Sequence, residues 1–180
     1  AAPSRVITVQ TDVLSLKIDL KQGEIIEAKL PAYPQSEHNQ TPYTLLNHTG
    51  AQRYQVGSQL ASLDTQNHLS VNDFHFQAAQ STYHLSPTQQ TLIISLEGQS
   101  DQGLKVTKTF TLKRGDYLIE ERYTLHNQGT QAWSGRILSQ LTRQSPPAAS
   151  SSLLPGAAVT YTGASYSEPG VHRYQKVSFD

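Results

Sequence analysis

The 180-residue chain contains no cysteine, no methionine and a single tryptophan. Without cysteine it can form no disulfide, use no thiolate nucleophile and hold no cysteine-ligated zinc. That absence suits an oxidising compartment, where a stray thiol is a liability, although cytosolic proteins lack cysteine too. Even an initiator methionine is missing, so the sequence reads as processed or as a piece of a longer protein. Net charge is absent as well: 14 Lys and Arg balance 14 Asp and Glu. This argues against a nucleic-acid partner, which calls for a basic patch. No apolar run approaches the roughly 18 residues of a membrane span. The opening AAPSRVITVQ lacks the apolar segment of a signal peptide. Hydrophobic residues make up only 36% of the chain, and Gln, Ser, Thr and Asn fill the difference. A chain of this length suits one domain, residues 1–180, with a sizeable core.

What is present is period-2 alternation. In DVLSLKIDL, Leu14, Leu16, Ile18 and Leu20 share one face, as a half-buried strand requires. Gly23 marks a turn, and EIIEAKL is the next strand. Leu30 to Pro34, LPAYP, is expected to break the ladder, because two prolines supply no backbone donor. Further strands are expected in DFHFQAA, TLIISLEG, LKVTKTFTLK, YLIEERYTLH, AWSGRILSQLTRQ, AAVTYTG and RYQKVSF. None of these shows apolar residues at helical spacing over three turns. Turn signals recur roughly every 8–12 residues, so the expected class is an all-β sandwich. Ser62 to Asp73 and Ser145 to Ala157 read as loops.

Arg114-Gly115-Asp116 matches a tripeptide associated with cell adhesion, but its flanks alternate on both sides. Val106, Phe110 and Leu112 share a face before it, and Tyr117, Ile119, Tyr123 and Leu125 share one after it. The pattern is that of a β-hairpin, with Gly115 supplying positive φ and Asp116 bonding a backbone N–H. Glu121 breaks the pattern by falling on the apolar face. A carboxylate there belongs at a sheet rim or beside a cation.

Seven histidines are present, and none shows the spacing of a helical metal site. The chain has no nucleophile elbow, no phosphate loop and no dinucleotide fingerprint. No catalytic residue, cofactor or metal is therefore expected. An acid–base pair assembled from distant strands stays open, with His126 and Glu120 or Glu121 as one conceivable set, although their spacing along a strand is long. The final stretch differs in character: Tyr161, Tyr166, Tyr174 and Phe179 are interleaved with His172, Arg173 and Lys176. Aromatic and cationic side chains together favour a protein interface. These seven residues form the candidate partner-binding set, and an ordinary edge strand is the alternative.

Three stretches, ITVQTDVLSLKIDLKQGEIIEAKLPAYP, TKTFTLKRGDYLIEERYTLHN and GASYSEPGVHRYQKVSFD, follow one another across nearly the whole chain. Within them, Thr11-Asp12-Val13-Leu14, Leu30-Pro31-Ala32-Tyr33-Pro34, Lys113-Arg114-Gly115-Asp116-Tyr117, and Ala164 with Tyr166-Ser167 carry a resemblance. They resemble the large periplasmic domain of the YidC membrane protein insertase family of Gram-negative bacteria. The resemblance implies a β-supersandwich, similar to galactose mutarotase-like folds, with little or no helix. It implies residence in the periplasm as part of an inner-membrane protein whose membrane anchoring lies outside this chain. It also implies Sec translocon accessory subunits and substrate membrane proteins as partners, and a chaperone-like role. A shared fold does not transfer mutarotase activity, so a non-enzymatic interaction module is expected. The alternative is a carbohydrate-binding or epimerase-like sandwich, which would bring a histidine and a carboxylate together in a cleft with room for a sugar.

Overall fold

The computed structural model describes residues 5–49, 53–63, 74–100, 103–130, 132–144 and 163–178. Their regular structure is entirely β, with no helix among them. The chain divides into two compact units, Ala1–Arg143 and Gln144–Asp180.

The first unit holds β1 (Val6–Gln10), β2 (Ser15–Asp19), β3 (Glu24–Ser36), β4 (Asn39–Asn47), β5 (Tyr54–Ser62), β6 (Gln77–Ala78), β7 (Thr82–His84), β8 (Thr91–Gln99), β9 (Leu104–Lys113), β10 (Ile119–Asn127) and β11 (Gly135–Arg143). One sheet has the order β11-β5-β4-β3-β2-β1-β7, and the other β10-β9-β8-β6. Their inner faces pack into an all-β sandwich. Ile7, Val9, Leu16, Ile18 and Leu60 come from the first sheet, and Ile94, Leu96, Val106, Phe110 and Leu112 from the second. The alternation of β8 shows why these residues form a strand: Leu92, Ile94 and Leu96 are buried while Thr91, Ile93, Ser95 and Glu97 face water.

The hairpin β9–β10 forms as expected, in the register Leu112↔Ile119 to Leu104↔Asn127. Gly115 has φ 69°, Asp116 Oδ1 accepts from the Leu118 N–H at 3.0 Å, and Asp12 accepts from the Gly115 N–H at 2.9 Å. Arg114 donates to the carbonyls of Ser86 at 2.6 Å and Gln89 at 3.0 Å. All three residues of Arg-Gly-Asp are thus engaged in holding a turn.

LPAYP does not end its strand. β3 runs through it, and the two prolines are absorbed by register shifts at Leu30/Pro34 and Pro34/Ser36. The outer part of β3–β4, residues 31–43, is exposed throughout, so few ladder bonds are lost there. DFHFQAA pairs only at Gln77–Ala78, although Phe74 and Phe76 are buried and His75 is exposed, as period 2 requires. β1, β4, β5 and the three-residue β7 were not among the expected strands, although β1 alternates, with Ile7 and Val9 buried and Thr8 exposed. Residues 64–73 and 145–157 of the two expected loops lie outside the described residues, as does AAVTYTG apart from Gly163. The second unit contains an antiparallel hairpin, β12 (Gly163–Glu168) and β13 (His172–Ser178).

Candidate functional site

Glu121 is paired with a cation. On β9, Lys108 has the same parity as Val106 and Phe110, so the pleat drives its side chain between the sheets, where it is 1% exposed. Its Nζ lies 3.3 Å from Glu121 Oε1 and 3.2 Å from Ser58 Oγ. Ser58 Oγ donates to Glu121 Oε1 as well. The Tyr123 hydroxyl donates to the Ser58 carbonyl at 2.7 Å. The ammonium also sits 5.1 Å from the Tyr123 ring centroid and 5.2 Å from that of Phe110, near enough for cation–π attraction. Burial pulls the Lys108 ammonium below its ordinary pKa, against the attraction of Glu121. Burial likewise pushes the Tyr123 phenol up.

Glu24, half-buried at the start of β3, faces the same region, and burial pushes its carboxyl up while Lys108 pulls it down. Glu24, Ile25, Val56, Gly57, Ser58, Lys108, Ile119, Glu121, Tyr123, Ile137 and Ser139 line a cavity of about 270 Å³. The sequence reading singled out Glu121 but missed Lys108, although strand parity alone placed it on the apolar face. Glu24 and Gly57 carried no local signal, because their proximity depends on how β3 and β5 are placed.

A second concavity, of about 590 Å³, lies on the outward face of the four-stranded sheet. Gln77, Glu97, Thr107 and Thr124 form one row across it, and Gln99, Lys105 and His126 form the next. His75 also lines it. His126 and Glu97 stand two strands and one row apart, about 12 Å at the ordinary strand spacing and rise, beyond direct proton transfer. Of the two conceivable partners of His126, Glu121 is separated outright, since it points between the sheets and His126 outward, and Glu120 shares the face of His126 but stands six residues away along β10, about 20 Å at the ordinary rise. Among the described residues no group of three His, Asp or Glu could hold a metal ion.

The candidate partner-binding residues fall on the second unit. Tyr161 and Phe179 lie outside the described residues. Tyr166 sits on β12, and His172, Arg173, Tyr174 and Lys176 on β13. Tyr166 pairs with Gln175, and Ser165 with Lys176. Directly opposed residues of an antiparallel pair share a face. Tyr166, Arg173 and Gln175 therefore occupy one face, and Ser165, Tyr174 and Lys176 the other. A register shift between Tyr166 and Glu168 places Glu168 opposite His172. The hairpin thus brings the aromatic–cationic set together in one element but divides it between two faces. Tyr166 and Tyr174 are 49% and 60% exposed.

A family model described as the YidC periplasmic domain matches residues 6–180. The chain belongs to this family. It is 44% identical over 176 residues to a membrane protein insertase YidC of Legionella pneumophila (strain Corby), covering 97% of this chain and 31% of the relative. A YidC of Coxiella burnetii (strain Dugway 5J108-111) is 36% identical over 178 residues, 98% of this chain and 30% of the relative. A YidC of Pseudomonas putida is 38% identical over 176 residues, 96% and 30% respectively. The chain spans about a third of the length of these curated relatives. The all-β sandwich of the first unit and the hairpin of the second are thus both parts of a YidC periplasmic domain.

Proposed function

We propose that this chain is a non-catalytic protein-interaction module of a membrane protein insertase, located in the periplasm and working in inner-membrane protein insertion. Its role is chaperone-like or Sec-linked, with Sec translocon accessory subunits and substrate membrane proteins as partners. The observation that carries the reading is the family match over residues 6–180. It is supported by Tyr166, Arg173, Tyr174 and Lys176 standing on one exposed hairpin. Tyrosine and arginine supply contact area and planar hydrogen bonding at low entropic cost. The division between faces sharpens the test. Photocrosslinkers placed at Tyr166 and at Tyr174 in the full-length protein, with Lys29 as control, are expected to capture Sec accessory subunits from the hairpin positions. Crosslinks from Lys29 alone would place the interface elsewhere.

The outward groove favours a second reading, because it holds His75, His126 and Glu97 in a space large enough for a sugar. Incubation with a pure aldose anomer separates the two. No acceleration of mutarotation above buffer is expected. A saturable rate that disappears on His126→Ala would replace the interaction-module reading with a sugar-processing one.

A further inference from the structure

The seven-stranded sheet opens into a slot beside β5. β4 contacts β5 at a single register pair, Asn47↔Tyr54, and ends there, while β5 continues to Ser62. Beyond Asn47 no strand among the described residues separates β5 from the start of β3, and Glu24 meets Gly57 across the gap. The approach is close enough that a Cβ on Gly57 would lie 2.6 Å from Glu24 Oε1. Two concavities meet at this point: the intersheet cavity of about 270 Å³, and one of about 320 Å³ lined by Gln55, Gln59, Leu138, Gln140 and Thr142. Both are also lined by Glu24, Val56 and Gly57.

Charge in the slot does not balance within it. Glu121 is matched by Lys108 and by Ser58. Glu24 has the same ammonium in its field and, with less effect, the His48 ring, but no hydrogen-bond donor reaches its carboxylate among the described residues. One negative charge is therefore left over, on a half-buried group where Coulomb attraction exceeds its value in bulk water. Around it, Ile25, Val56, Ile119 and Ile137 give the intersheet cavity apolar walls. An apolar sleeve with an acceptor at its mouth fits a long side chain with a cationic head. The intersheet cavity, at about 270 Å³, lies below the roughly 300–1,000 Å³ usual for small-molecule sites, and so suits one side chain rather than a larger ligand.

We infer that the slot between β3 and β5 receives a basic side chain, arginine before lysine, from a polypeptide partner, with Glu24 as its counter-charge. A guanidinium can donate two parallel hydrogen bonds to one carboxylate, which an ammonium cannot match. The inference goes beyond the hairpin surface and does not depend on it.

The test uses the 180-residue chain and Nα-acetyl-L-arginine methylamide as probe, followed by amide chemical shifts. Saturable shifts at millimolar probe are expected at residues 24, 56–58 and 121–123. The uncharged norleucine analogue should produce none. Glu24→Gln keeps size and hydrogen bonding but removes the charge, and should weaken the probe by about tenfold or more. Gly57→Ala needs no left-handed backbone, so it tests the same point without touching charge: its methyl displaces the Glu24 carboxylate and should weaken the probe as well. Equal binding by wild type and Glu24→Gln overturns the inference, as does the absence of any saturable shift. Shifts at the same amides by glucose, unaffected by Glu24→Gln, would make the slot a polyol site and also overturn it. Loss of hairpin crosslinks leaves these outcomes unchanged, so the two readings fail separately.

Discussion

At the scale of the residue, Lys108 and Glu121 set the terms. A lysine on the core face is costly unless it is paired, and here an ion pair, a serine hydroxyl and two aromatic rings share that task. Removing one ion strands the other. Lys108→Met should therefore destabilise the fold by about 1–3 kcal/mol, less than a fully buried pair would, because the Glu121 side chain is 27% exposed and keeps Ser58. Lys108→Met/Glu121→Leu should recover most of that loss, since an apolar pair of similar volume often replaces a buried ion pair without penalty. Urea midpoints of the two singles and the double give the coupling. A Lys108→Met cost inside the ±0.5 kcal/mol or so of surface changes would show that the pair is not buried in solution. Glu24 gives a pH prediction of defined sign. Its folded carboxyl holds the proton more tightly than the unfolded chain does, where the pKa is near 4.5. Stability from this group is thus greatest below 4.5, falls as pH rises through the folded value, and stays lowered above it. Glu24→Gln cannot ionise, so it should raise the urea midpoint at neutral pH and leave it unchanged below pH 4.5. A variant no more stable at neutral pH would mean that burial does not penalise this carboxylate.

At the scale of the element, the hairpin turn is where local chemistry decides most. Gly115 has φ 69°, and a Cβ there would meet nothing within 4 Å. Gly115→Ala should therefore cost only the left-handed backbone penalty, about 1–2 kcal/mol, with no steric addition. Asp116→Ala removes the acceptor of the Leu118 N–H and should cost about 0.5–2 kcal/mol, the scale of a lost cap. Partner binding should survive both changes. A lost partner at unchanged melting temperature would make the tripeptide a recognition element after all. This turn was legible in the sequence because alternation on both sides fixed the strands and glycine fixed the connection. β2, β8 and β9 were legible for the same reason: each buries one face and wets the other. β10 is mostly exposed and was legible from its alternation and from the turn before it. β4 and β5 were not, because TPYTLLN and YQVGSQLAS are largely half-buried or exposed and carry no clean alternation. β7 is three residues long and pairs in parallel with β1, Thr8 opposite Thr82, a contact that no local pattern encodes. The slot beside β5 was invisible for a related reason: it exists because β4 stops at Asn47 while β5 runs on.

At the scale of the whole molecule, the buried apolar cluster decides what folds. Among the described residues it runs from Ile7 to Leu112 and draws on both sheets of the first unit. β12 and β13 add no residue to it. A two-stranded ribbon is marginally stable at best in water, so the C-terminal hairpin contributes little to the cooperative unit. A chain ending at Gln144 should then unfold in one transition, with a urea midpoint close to that of the 180-residue chain and a slope only slightly smaller, because slope follows the surface exposed on unfolding. A peptide of residues 163–178 should show no stable strand structure alone. Function should divide the other way. If the hairpin carries the partner contacts, the full-length protein with 145–178 replaced by a Gly/Ser linker should keep its folded first unit and lose the crosslinks to Sec accessory subunits. Two outcomes would count against this. Loss of the single transition on truncation would make the hairpin part of the folding core, and its exposed tyrosines would owe their place to stability. Retention of partner capture at other positions after replacement would move the interface onto the sandwich, where the slot at Glu24 would be the first surface to test.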